Sequence, residues 1–450
     1  MTPESLSTLR SHLRGTVVAP SDQGYDTVRR VYNASVDRRP AAIVRCAGAA
    51  DVIRALAFAR DEGLPLSIRG GGHNVGGRAV CDGGVMIDLS TMKSIRVDQA
   101  QARVRAEPGV TYKEFDHETQ AFGLATTGGT VSATGIAGLT LGGGIGWLMR
   151  VHGLACDNLL AADMVTADGR LVHASQSENP DLFWGLRGGG GNFGIVTSFE
   201  YQLHALGPVL GGMLVHPVAR ARDLWRFHRD AMSSAPDEVI AFTALLCGPD
   251  GQPIAVELPA YIGPIADGEK ALAPFREFGP PIADTVAPTP YVQLQQMLDA
   301  GLPAGLYNYW TSNFLNRLTD EIIDIVVSAF AQAPTPLCVL VLEALGGALR
   351  RVPESETAFT LRDGDFNLAI VGRWADPADA DRTIAWAKQL NRQLAPHSLE
   401  STYVNYLPED EGGRVAAIYG AARYKRLQDL KRKYDPQNLF RLNANIAPST

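Results

Sequence analysis

No stretch of this sequence approaches the roughly 20 consecutive apolar residues that a bilayer-crossing helix requires, so nothing in it predicts a membrane span. The first residues, MTPESLSTLRSHLRG, lack the apolar centre of a secretory signal, and a cytoplasmic protein is expected. Cysteine is sparse: Cys46, Cys81, Cys156, Cys247 and Cys338 are scattered, with no C-x-x-C pair and no ligand-like spacing to histidine. A disulfide framework and a zinc ribbon are thereby excluded, and free thiols without a metal site are predicted. A strong charge of either sign is missing too. The net charge of −7 argues against nucleic acid or an anionic membrane surface as a partner. Also absent is a G-x-G-x-x-G that opens a helix after a strand. The nearest approach, GGGGNF at 188–193, leads into the β-like GIVTSFEY, so the usual dinucleotide-binding turn is not present.

What the chain does have is glycine, 46 in 450 residues, crowded into 70–84, 128–146 and 185–194. The length predicts more than one core. An N-terminal helix and the β-like PAAIVRCAG precede AADVIRALAFARDEG, which sets Val52, Ile53, Leu56 and Ala59 on one helical face with Gly63 as a stop. LPLSIR then alternates as a strand and runs straight into RGGGH, giving a β-α-β opening that ends in a glycine loop. TTGGTVSATGIAGLTLGGGIGWLMRVHG (126–153) has no helical period over its length and reads as loop. NLLAADMVTADGRLVHAS predicts a hairpin turning at Asp168-Gly169. Beyond about 207 glycine thins, and β-like runs at 210–216, 238–246, 252–262, 307–315, 337–345 and 366–374 alternate with helical ones at 218–232, 267–277, 319–332 and 378–395. That texture predicts an α+β unit with a mostly antiparallel sheet and helices on one face. In YNYWTSNFL, Tyr307, Tyr309 and Thr311 face one way and Trp310 and Ser312 the other; the pattern does not say which set faces a pocket.

Five glycines around His73 exceed what a plain turn needs. Consecutive backbone N–H groups freed of side chains can wrap a pyrophosphate, with Arg69 beside them to supply charge. His73 has no second histidine for a metal, which leaves a structural imidazole or a nucleophile held close to a phosphate-bearing cofactor.

Four blocks in order, LSIRGGGHNVGG, GGTVSATGIAGLTLGGGIGWLMRVHGLACDNLLAADMVTADGRLV, NPDLFWGLRGGGGNFGIVTSFEYQL and YKRLQDLKRKYDPQNLFRLNANIAP, resemble the berberine-bridge-enzyme-like branch of the vanillyl-alcohol-oxidase flavoproteins. The resemblance covers roughly 36–206 and 400–448. It implies a two-domain α+β fold of the PCMH type: an FAD-binding unit at 1–206, a substrate-binding unit at 207–399, and a segment at 400–450 that returns to the first. It implies an FAD-dependent oxidase acting on a small or medium organic alcohol or amine, with O2 as acceptor and H2O2 as product. A dehydrogenase, a flavin-oxygenating enzyme and a catalytically silent flavin binder are the rivals. Oligomeric state stays open.

Carried over residue by residue, the resemblance makes Arg69, Gly70, Gly71 and Gly72 the pyrophosphate loop, and His73 the residue bonded to the flavin C8 methyl group. Asn74, Gly129, Thr134, Gly135, Gly138, Leu139, Gly142, Gly143, Asp157, Asn158, Gly194, Val196, Tyr406 and Asn443 complete the expected cofactor set. Relatives with a second, cysteinyl bond carry that cysteine where Val131 stands here, so a single tether is expected and Cys156 is read as a packing residue. STYVNYLPED resembles the family's Y-x-N-Y segment, making Tyr406 the expected base or substrate anchor and Asn405 its positioning partner. The glutamate of plant members aligns with Arg351, and Glu354 reads as a turn residue, so no glutamate base is expected there.

Overall fold

The computed structural model describes residues 1–449, in which three β-sheets carry most of the framework. Helix α1 (Pro3–Ser11) starts at Thr2, whose hydroxyl accepts the Ser5 amide while Ser5 answers the Thr2 amide, so two otherwise orphaned donors are satisfied. β1 (Thr16–Val18), β2 (Ala42–Arg45), β3 (Leu66–Arg69) and β4 (Val85–Asp88) form a sheet in the order β1-β2-β4-β3. The expected β-α-β unit is there: α2 (Ala49–Asp61) links β2 to β3. β4 is inserted between those two strands, parallel to both. On α2 the fully buried row is Val52, Ala55, Leu56 and Ala59; Ile53, expected on that face, is only half-buried.

β5 (Ile95–Asp98), β6 (Arg103–Ala106), β7 (Leu159–Val165), β8 (Leu171–Ser175) and β9 (Ile195–Gln202) make an antiparallel sheet in the order β5-β6-β9-β7-β8. β7 and β8 are the predicted hairpin, and Gly169 takes φ +87° at its turn. The second glycine block is loop apart from α3 (Ile136–Leu141) and a single turn at Met149–His152.

Downstream, β10 (Leu214–Pro217), β11 (Val239–Cys247), β12 (Pro253–Tyr261), β13 (Tyr307–Leu315), β14 (Val339–Ala344) and β15 (Phe366–Trp374) pair antiparallel in the order β10-β12-β11-β14-β15-β13. Three short edge strands bring that sheet to nine. Helices α4 (Ala221–Ser234), α5 (Ile265–Glu277), α6 (Asp320–Phe330) and α7 (Ala380–Leu394) cover one face and bury Trp225, Leu272, Ile323 and Leu390 against it.

Strand alternation sorts this sheet into two faces with opposite duties. Ala241 and Leu245 of β11, Leu340 and Leu342 of β14, and Leu368 and Ile370 of β15 lie in the helix-covered core. Their alternates, Phe242, Val341, Glu343, Ala369 and Val371, face the other way. In YNYWTSNFL the same rule assigns Tyr309 to the helices and Trp310 to the open face.

The last helix, α8 (Ala421–Tyr434), packs against the Pro180–Leu186 helix. Its Leu430 and Leu427 fit over Gly185 and Gly189, where added methyl groups would lie 2.2 and 3.0 Å from them. Lys431 seals the contact from inside, with no exposed side-chain surface. Its ammonium donates to the Asn192 and Phe440 carbonyls and to Asp435 at 2.7–2.9 Å. No helix among the described residues is long and apolar enough to cross a membrane.

Candidate active site

The open face of the large sheet and the glycine blocks enclose a cavity of about 1020 Å³, at the upper end of the ~300–1,000 Å³ of ligand pockets. Its walls differ because one is backbone and the other side chain. On the backbone side, Gly71 and Gly135 cross in contact: a Cβ on Gly71 would lie 2.6 Å from the Gly135 nitrogen and Cα, and the reverse is equally tight. Gly72 follows at φ +70°, a conformation suited to glycine. The glycine repeat around His73 therefore reflects two chain segments that must touch, as well as a surface cleared of side chains.

Of the expected site residues, Gly70, Gly71, Gly72, His73, Asn74, Gly129, Thr134, Gly135, Gly138, Leu139, Gly194, Val196, Asn405, Tyr406 and Asn443 all line this one cavity. Five others do not. The Arg69 guanidinium donates to the Val28 carbonyl and lies 4.0 Å from Asp88; it packs behind the glycine loop, where a Cβ on Gly72 would meet its Nε at 3.1 Å. The arginines on the cavity wall are Arg78 and Arg373. Gly142 and Gly143 are glycines for packing, since a Cβ on them would strike Asn405 at 2.0 Å and Phe359 at 2.5 Å. Asp157 is buried in a two-pronged pair with Arg362 (2.7 and 3.0 Å) and holds the Leu154 amide. Asn158 ties the His152 and Leu154 carbonyls and His204. These two fold the loop behind the wall.

His73 is stacked on Tyr32, with ring centroids 4.0 Å apart, and faces the edge of Trp310 at 6.3 Å. Desolvation pushes its pKa down to about 4, so the imidazole is neutral at pH 7 with a lone pair available. Its Nε2 has no hydrogen-bond partner. Val131 lies on the wall where a second tether would come from. Cys156 is fully buried away from the wall, in a core with Trp147 and Leu154, and burial drives its thiol pKa far up. That is the environment of an inert packing thiol.

Trp310 stands between His73 and Tyr406, 5.5 Å from the latter ring. Tyr406 ends a single 3-10 turn, Val404–Tyr406. The turn is pinned by Asn405, whose amide donates to the Leu139 carbonyl (3.1 Å) and to the Tyr403 oxygen (2.9 Å). Tyr403 also accepts the Gly144 and Ile145 amides, which makes it a clasp across the two segments.

The residue that the sequence reading missed is Glu343. The Tyr406 hydroxyl donates to its Oε1 at 3.0 Å, and the Asn367 amide donates to its Oε2 at 2.6 Å. The carboxyl is 2% exposed, and burial raises its pKa to about 7, moderated by those two hydrogen bonds. The sequence holds one sign of it: a lone acid at a cavity-facing position of the apolar run VLVLEAL. Arg351, by contrast, is exposed and paired with Asp237, and Glu354 is exposed at a turn.

The donor set fits FAD. Glycine backbone on one wall suits a pyrophosphate, and the buried oxygens of Asn74 and Asn443 have no partner in the protein. An unpartnered neutral imidazole stands beside them, and the opposite wall is apolar and large enough to cover a flat ring system.

Comparison with known proteins agrees with that geometry. Residues 40–175 match the family described as FAD binding domain, and 402–447 match berberine and berberine like. The chain is 32% identical to an FAD-linked oxidoreductase of Dictyostelium discoideum over 97% of this chain and 95% of that protein. It is also 32% identical to (R)-6-hydroxynicotine oxidase of Paenarthrobacter nicotinovorans over 97% of each. The crystal structure of 6-hydroxy-D-nicotine oxidase from Arthrobacter nicotinovorans superposes with a TM-score of 0.89 at 29% identity, covering 97% of this chain and 98% of that one. The fold is thus the PCMH type expected.

Proposed function

The chain belongs to the berberine-like FAD-linked oxidoreductases, and from that premise we propose that it is an oxidase whose FAD is bonded to His73 and whose proton acceptor is the Tyr406–Glu343 pair. Bound FAD supplies the two-electron acceptor. Residues 1–206 with 400–450 act as the part that holds it, and 207–399 as the part that holds substrate.

One observation carries the reading: a tyrosine and a buried carboxylate, joined by a 3.0 Å hydrogen bond, face the cavity across Trp310 from a neutral, unpartnered histidine. Tyrosine alone is a poor base near neutrality, because its pKa is about 10 and burial raises that of Tyr406 further. The carboxylate removes the difficulty. As an alcohol or amine substrate is oxidised, Tyr406 takes the O–H or N–H proton at its oxygen and hands its own proton to Glu343 Oε1. Asn367 holds the second carboxylate oxygen, so the acceptor orbital stays aimed at Tyr406. Asn405 and Tyr403 keep the turn in place. The apolar sheet face excludes water from the transfer.

Two measurements test the proposal. Acid precipitation of wild type and Cys156→Ala retains yellow colour in the pellet, and His73→Ala releases it; flavin lost from the wild type refutes the tether. With an apolar amine or alcohol that reduces the flavin, O2 uptake matches H2O2 formed. Anaerobic reduction without reoxidation by O2 assigns a dehydrogenase instead.

A further inference from the structure

Arg373 is a buried cation for which the proton transfer has no use. It follows Ala369 and Val371 in the cavity-facing row of β15 and lines the cavity with 2% of its surface exposed. Its Nη1 donates to the Gly301 carbonyl at 2.6 Å, and its Nε is buried without a partner. Among the described residues neither Nε nor Nη2 makes a hydrogen bond, and no carboxylate pairs with it.

Arg362 shares the unpartnered buried Nε, but both its remaining nitrogens are bonded, where Arg373 has one bonded. Arg362 has Asp157 on both prongs, and Arg150 divides its donors among four carbonyls. A guanidinium stays charged in proteins, and a buried charge without hydrogen bonds or a counter-ion is unfavourable. The unused Nε–Nη2 edge is the one that takes a carboxylate by two parallel bonds.

Its position along the sheet fixes what else the ligand must be. Glu343 stands opposite Asn367, and Arg373 lies six residues further along that strand, about 20 Å between Cα positions at ~3.4 Å per residue. Between them the open face carries Val341 beside Ala369, then Val339 and Trp310 flanking Val371. The cavity wall is therefore apolar in the middle, with a proton acceptor at one end and an uncompensated cation at the other. The ionisable side chains whose charge acts on that cation are Tyr32, which stacks on His73, and the buried Cys338.

We propose that Arg373 is a specificity-determining residue that anchors the carboxylate of an amphipathic substrate, whose apolar body crosses Val371, Trp310 and Val341 and whose oxidisable alcohol or amine end reaches Tyr406. The orientation at Tyr406 rests on the oxidase reading above; the carboxylate anchor does not.

Isothermal titration calorimetry on the holoenzyme tests the anchor with 6-phenylhexanoate and its uncharged isostere 6-phenylhexanamide. Wild type should bind the acid at least tenfold more tightly than the amide, about 1.4 kcal/mol. Arg373→Met should lose that preference while its affinity for the amide stays within about twofold. Arg373→Lys, which keeps the charge but not the planar fork, should retain only part of it. Equal affinity for acid and amide in wild type, or a preference that survives in Arg373→Met, overturns the proposal. If Arg373→Met does not fold, the wild-type comparison and Arg373→Lys decide. Because calorimetry reads binding without turnover, an intact preference alongside absent O2 uptake would strike only the oxidase reading.

Discussion

Replacing Glu343 with glutamine keeps the shape of the side chain and removes its proton chemistry. In the folded protein Glu343 holds its proton up to a pKa of about 7, against 4.5 for an unperturbed glutamate. The gap corresponds to roughly 3 kcal/mol at 1.36 kcal/mol per pH unit. A folded pKa above the unfolded one means the native state binds more protons between those values, so stability is greatest at low pH and falls as pH rises from about 4.5 through 7. Glu343→Gln has no such term. The variant should therefore gain stability relative to wild type between pH 5 and pH 8 by about 2–3 kcal/mol, read by urea denaturation of both holoproteins. The rate should move the other way. Wild-type kcat should rise about tenfold per pH unit below 7 and level off above it, as the carboxylate becomes able to accept a proton. Glu343→Gln should lose that rise together with about 10²–10⁴ in kcat. A variant that keeps an acidic limb near pH 7, or a stability difference that does not change with pH, refutes the assignment of the proton to Glu343.

Three further outcomes follow from particular contacts. Asn367→Ala removes a hydrogen bond that lowers the Glu343 pKa, so the limb of the pH–rate profile should shift above 7 while the alkaline plateau persists. Gly71→Ala sets a methyl group 2.6 Å from the Gly135 backbone, so the two glycine segments must part; flavin content of the purified protein should fall sharply, and unchanged content would show that the crossing is not what shapes the loop. Lys431→Met leaves Asp435 fully buried without its cation, which should cost about 3–5 kcal/mol in urea denaturation. A loss below 1 kcal/mol would mean that the Leu439 and Phe440 amides, which donate to Asp435, suffice to hold the charge.

Legibility in the sequence followed the range of the interaction. The β-α-β opening, the Asp168-Gly169 hairpin and the strand and helix succession after 207 were readable, because period and turn chemistry are properties of neighbouring residues. The glycine cluster around His73 was visible in the same way, but its reading as a flavin site came from the resemblance of four blocks and not from neighbouring residues. Arg69, Asp157 and Asn158 stood close to motif positions, yet their side chains are engaged by Val28, Arg362 and His204 from other segments, which period and turn chemistry do not reveal. Gly142 and Gly143 lie off the cavity wall, where an asparagine and a phenylalanine from distant segments press against them.

Alternation in YNYWTSNFL and VLVLEAL determined by itself that Trp310 and Tyr309 part company, and that Glu343 goes with Val339 and Val341. Which of the two faces meets the cavity was decided only when four helices from other parts of the chain covered the opposite one. The sequence likewise determined that an acid and an arginine occur in two apolar strands. Tertiary structure alone placed one under Tyr406 and the other at the far end of the same wall. A period of two assigns residues to faces, whereas the pKa, partner and use of a charged group depend on what the rest of the chain brings within a few ångströms of it.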